Sequence, residues 1–187
     1  MAAPTLSLTE AQAFAAVRAF LLDVLPAGTP VVRGQINRVP EPAQSDFVVI
    51  TPLMQQRLTT NQHTYSDGYI ANPNNPSIKT MQPSMQVTLQ VDVHGPKSGD
   101  NTVIITTLFR DDYGVSQFQS QTPYYDVTPL YCEDARQIKY MNGEQQQEER
   151  WSVDMLVQCN PIIVVPQQFA TQLGIELIDV DVVYPPT

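Results

Sequence analysis

Apolar and polar side chains alternate without a break over residues 85–94, MQVTLQVDVH. Met85, Val87, Leu89, Val91 and Val93 point one way, and Gln86, Thr88, Gln90, Asp92 and His94 point the other. A period of two predicts a long half-buried strand. The same period returns in ERWSVDMLVQCN, where Trp151, Val153, Met155, Val157 and Cys159 share a face opposite Ser152, Asp154, Leu156, Gln158 and Asn160. Residues 129–140 and 148–160 therefore read as two strands around the turn signal Asn142-Gly143. Shorter strands are predicted at 30–40 and 46–52, joined by a proline-rich turn, and a last one at 175–186. Pro161 and Pro166 bracket an apolar run that reads either as a buried crossing or as an edge pairing with another chain; a short helical turn follows it.

Two stretches switch to helical spacing. Phe14, Val17, Leu21 and Val24 form a stripe within 7–25, where Ser7 and Glu10 fit a capping box and Pro26 and Gly28 end the helix. After Gly95-Pro96, Ser98 or Asp100 can cap a second helix over NTVIITTLFRDD, in which Val103, Ile104, Thr107, Leu108 and Asp111 follow the helical period. Residues 53–84 are rich in Asn, Pro, Thr and Gln and read as a long polar loop or hairpin inserted into a single domain of residues 1–187. The order of elements predicts an α+β fold: a mixed, mostly antiparallel sheet flanked by two helices.

Charge narrows the function. Charged residues make up 16% of the 187 and the net charge is −9. Residues 133–187 hold nine acids against three bases, which is −6 of that total. No cluster of Lys and Arg occurs, so binding to a nucleic-acid backbone is not expected. A surface short of charge and full of amides suits contact with other protein. Cys132 and Cys159 have no CxxC spacing and cannot build a structural zinc site; they read as buried thiols. The start of the chain has no basic segment followed by an apolar one, so no signal peptide is expected, and no apolar run approaches the roughly 20 residues of a membrane span.

Three places carry candidate chemistry. Asp92 and His94 lie two apart on one strand face, as a metal site or acid/base pair would begin, but a metal needs a third ligand and His63 is the only other histidine. The plainer reading is a polar strand face, solvated or facing an interface. In RDDY (110–113), Asp111 and Asp112 could bind Mg²⁺ or act as a base; at a helix C-terminus they are unfavourably placed unless Arg110 or another cation compensates. In CEDARQ (132–137) two acids beside Cys132 oppose thiolate formation, which favours core packing. No GxSxG, HExxH or phosphate-cradling glycine loop is present. A metal-dependent nuclease or hydrolase would have to combine Asp92, His94, Asp111 and Asp112.

Taken together, FVVITPL, QVDVHGPKSGDN, TLFRDDYG, PLYCEDARQIKYMNGEQQQEERW, LVQCNPIIVVPQQF and DVDVVYPP occur in the order and spacing of the neck or tail terminator proteins of long-tailed bacteriophages. The chain resembles that family over residues 7–187 and departs from it mainly in 60–84. The resemblance implies a structural virion protein at the tail–neck junction, assembled in the host cytoplasm, without enzymatic activity, cofactor or metal. It implies a homohexameric ring that caps the tail tube, stops its growth and meets the neck connector, with DNA passing through the lumen. The implied partners are further copies of the chain, the tail tube protein and the connector protein, with the tail sheath protein as a further candidate. Asp92, His94, Arg110, Asp111, Asp112, Asp154 and Asn160 become candidate contact residues of such a ring. A head-completion or connector ring protein of the neck is the alternative within the same class.

Overall fold

The two alternating runs become neighbouring ten-residue strands, Met85–His94 and Arg150–Cys159. The computed structural model describes residues 3–34, 42–68, 77–121, 126–141 and 147–168. Along the chain these form β1 (Thr5–Ser7), α1 (Glu10–Val24), β2 (Val31–Arg33), β3 (Phe47–Arg57), β4 (Gln62–Ser66), β5 (Ile78–Gln82), β6 (Met85–His94), α2 (Ser98–Arg110), α3 (Asp112–Ser120), β7 (Val127–Cys132), β8 (Arg136–Gln137), β9 (Tyr140–Met141), β10 (Gln147–Glu148), β11 (Arg150–Cys159) and β12 (Ile162–Pro166). The fold is α+β with mostly antiparallel sheets, as the sequence predicts.

The larger sheet runs β2-β3-β6-β11-β7, with β8 also paired to β11. Register joins the apolar faces. Val91 lies between Ile50 and Val153, and Leu89 between Pro52 and Met155. Among the described strands, β2 alone runs parallel to its neighbour, β3. Because side chains alternate across a strand, one face of this sheet is continuously apolar. The helices cover it with Ala13, Ala16, Val17, Phe20 and Leu21 from α1, Ile105 and Phe109 from α2, and Phe118 from α3. Phe20, Phe109 and Phe118 meet with centroids 5.5–6.0 Å apart, the spacing at which aromatic rings add to area burial.

The helices depart from the sequence reading in instructive ways. α1 begins at Glu10, and its capping box is Thr9 with Gln12, not Ser7 with Glu10. Ser7 is occupied elsewhere: it belongs to β1, and its Oγ accepts from the Ile162 amide at 3.2 Å. Leu8 turns the chain between the two elements at φ 59. α2 starts at Ser98 with Lys97 as cap and no side-chain capping bond. Its buried face is Ser98, Asn101, Thr102, Ile105 and Phe109, while Val103, Ile104 and Thr107 of the predicted stripe are exposed, Val103 at 64%. Small polar residues let α2 approach the sheet; Thr102 satisfies its hydroxyl on the Ser98 carbonyl at 2.6 Å. Gly95, at φ +102, allows the turn from β6 into α2, since a side chain there would strike the Ser45 carbonyl and Asp46.

The chain has a third helix, α3, which sequence reading did not predict. It is polar, and Gly114 and Phe118 are its buried residues. Gly114 packs so tightly under α2 that a Cβ would lie 2.7 Å from the Leu108 carbonyl oxygen.

The second sheet runs β1-β12-β5-β4, antiparallel throughout. β4 and β5 prolong the β3–β6 ribbon: Arg57 pairs with Met85, the Leu58 amide donates to the Ser84 carbonyl, and Gln62 then pairs with Gln82. The apolar run between Pro161 and Pro166 is β12, an interior strand of this sheet, half-buried rather than fully covered. Asn142-Gly143, the helical turn after Pro166 and the strand at 175–186 lie outside the described residues, although β9 and β10, on either side of 142–146, pair antiparallel.

Candidate assembly surface

The face of the larger sheet turned away from the helices is polar, and strand register dictates its composition. β6 contributes Gln86, Thr88, Gln90, Asp92 and His94; opposite them on β11 stand Gln158, Leu156, Asp154, Ser152 and Arg150. Near the Asp92 end this face is closed. Asp92 is 5% exposed and His94 4%, so the pair that alternation turns outward is buried within the subunit. The Arg150 guanidinium meets the Asp92 carboxylate at 2.8 Å, and Gln90 Nε2 donates to both carboxylate oxygens at 2.9 and 3.0 Å. A carboxylate so held has its lone pairs used by an ion pair and an amide, which is what makes its burial tolerable.

His94 stacks flat on Phe47, centroids 4.4 Å apart. Burial lowers the pKa of its imidazole from 6.5, the Arg150 charge adds to that, and Asp92 and Glu148 oppose it. The ring is therefore held neutral as a packed aromatic surface. Arg150, Gln90 and Phe47 complete this cluster, and none was picked out from the sequence as a site residue. Pairing the two alternating runs would have placed Arg150 beside His94, so that part of the signal was present.

Farther along, the same face opens. Asp154 is partly covered and takes an ion pair from Arg136 at 3.3 Å. Gln158 Nε2 donates to the Asn160 Oδ1 at 3.1 Å, in a shallow polar depression also lined by Thr59, Gln62 and Gln82.

RDDY lies at a helix–helix junction. Asp111 ends α2 and caps α3, its Oδ1 accepting from the Tyr113 amide at 3.1 Å. The acids thus stand at a helix N-terminus, where the dipole favours them, rather than at a bare C-terminus. That amide bond lowers the Asp111 pKa, while the hydrogen bond with Asp111 raises that of Asp112. Arg110 turns elsewhere. It donates to the Cys132 carbonyl at 3.0 Å through Nε, pairs with Asp134 at 3.2 Å and lies over the Tyr131 ring. Tyr113 reaches back to Asp23 of α1 at 2.9 Å. Cys132 is a buried thiol whose pKa burial raises, and burial pushes Cys159 up to about 11.

The residues needed for a metal-dependent nuclease or hydrolase are not brought together. Asp92 and His94 are on the sheet face away from the helices, Asp111 and Asp112 at the α2–α3 junction, and His63 on β4. Among the described residues no group of three His, Cys, Asp or Glu side chains could hold a metal ion. None of the helices among them is long and apolar enough to cross a membrane.

The outer strands of the second sheet have little cover. All residues of β1 and β4 are exposed, with Leu6 at 55% and Tyr65 at 54%. A family model described as phage neck terminator protein matches residues 11–185, nearly the whole chain. No curated protein matches it.

Proposed function

The chain belongs to the phage neck terminator family, and on that premise we propose that it assembles as a homohexameric ring on the end of the tail tube. There it stops tube growth and presents its far side to the connector, with tail sheath protein as a further contact and the genome passing through the lumen. The family match over residues 11–185 carries this reading. The net charge of −9 supports it, because an acidic channel wall does not retain DNA.

Within that reading, Arg110, Asp111, Asp112, Asp154 and Asn160 meet a neighbouring subunit or partner, and the 53–84 segment adds to those contacts. Asp92 and His94 are buried within the subunit, where Asp92 holds Arg150 at the start of β11. The test is the native mass of the purified protein, followed by electron microscopy of it mixed with tail tubes. Sixfold density at tube tips is expected. Density of another symmetry, or binding to the portal side with no binding to tubes, would overturn the proposal.

A further inference from the structure

We infer that neighbouring copies in the ring join edge to edge through the second sheet, β4 of one copy pairing antiparallel with β1 of the next. This rests on the ring reading above and names its contact. Three features of the sheet carry it. First, both outer strands are exposed along their full length, and among the described residues neither has a further strand beside it. Such a row of backbone donors and acceptors pairs readily with another chain.

Second, protection by side chains is missing, although β1 is only three residues long. Edge strands that must stay solitary carry lysine, inward charges, proline or bulges. β1 is Thr-Leu-Ser and β4 is Gln-His-Thr-Tyr-Ser, with no Lys, Arg, Asp, Glu or Pro in either. In a chain of net charge −9, these two neutral edges can approach without bringing acids together.

Third, strand direction fits a rotational repeat. The four strands alternate strictly, so β1 and β4 of one copy run in opposite directions. A copy related by rotation about a ring axis keeps the same directions and sets its β1 antiparallel to the preceding β4. The alternation then continues around the ring without a break. Register gives the side-chain row as well: Leu6 is paired with Ile163, Ile163 with Met81, and Met81 with His63. The row places exposed Leu6 beside His63 or Tyr65 of the next copy, on the same face of the sheet.

Cysteine cross-linking tests this, because the native thiols Cys132 and Cys159 are both buried. Leu6→Cys, His63→Cys and Tyr65→Cys are made singly in the full chain, assembled on tail tubes and oxidised. Mixing Leu6→Cys with His63→Cys or Tyr65→Cys should give covalent dimers, and the double variants should give ladders ending at the ring number. Each single variant alone should give none. Rings that form on tubes yet yield no mixed cross-link overturn the edge contact and leave the ring standing. Cross-links in a single variant alone mean like edges meet, which also overturns it. A chain that never assembles on tubes overturns the ring and the contact with it. As a second readout, Thr64→Lys should leave the melting temperature of the free protein unchanged and reduce tube-tip occupancy at least tenfold; undiminished occupancy counts against the inference.

Discussion

The two sheets share a backbone pattern but differ in what lies on them. The larger sheet lays an apolar face under three helices, and the continuous hydrophobic core is drawn from it and from those helices. The smaller sheet supplies none of those core residues, and its interior strands β5 and β12 are only half-buried while β1 and β4 are exposed. Hydrogen-bonded strands without a covering layer contribute little stability by themselves. One region therefore holds the subunit together, and the other has backbone and side chains left over for contact outside it.

Substitutions graded by size probe that division. Phe20→Ala, at the meeting of three rings, should cost about 3–5 kcal/mol and lower the melting temperature severely, because the cavity lies at the centre of the core. A small effect there would break the comparison outright. Next comes Asp92→Ala, which takes from Arg150 its carboxylate at 2.8 Å. Loss of a fully buried pair costs about 3–5 kcal/mol; Arg150 retains 22% side-chain exposure, so about 2–3 kcal/mol is expected. Denaturant titration measures it, and adding Arg150→Met should recover part of the loss.

His94 predicts a pH dependence of smaller size. Its pKa is lowered in the folded state from 6.5, so the unfolded chain binds more protons between the two values. Stability should therefore fall as pH drops below about 6.5, at no more than about 1.4 kcal/mol per pH unit, and level off once both states are protonated. His94→Gln should flatten this segment of a stability-against-pH curve. The smallest effect belongs to the second sheet: Thr64→Ala should change the stability of the free subunit by less than about 0.5 kcal/mol by calorimetry. A loss comparable to that of Asp92→Ala would show that the small sheet holds the fold too.

Legibility from sequence followed the range of the interactions. The alternation of β6 and β11 could be read because it is local: Val153, Met155, Val157 and Cys159 are buried as that pattern predicts, while Trp151 on the same face is only half-buried and Ser152 on the opposite face is buried. α1 was legible to within a few residues, but its cap was not, since Ser7 is claimed by a strand more than 150 residues away. In α2 two stripes competed at the same period. Val103, Ile104 and Thr107 face solvent, and the buried face combines the small polar Ser98, Asn101 and Thr102 with Ile105 and Phe109. α3 was missed because its burial rests on one glycine and one phenylalanine. The Asp92–Arg150 pair was hidden for a different reason: each half was visible, and only strand register joins them.

The pairing of β1 with β12 also sets a clock. Ser7 and Ile162 touch across 155 positions of chain. At about 5–20 residues per second, a ribosome delivers the second roughly 8–30 s after the first. Until then β5 lacks its inner neighbour and β1 has nothing to lie against, while the strands β3 and β6 have long since emerged. A nascent chain can thus pair β4 with β5 early, but it completes the four-stranded second sheet only near the end of its own synthesis.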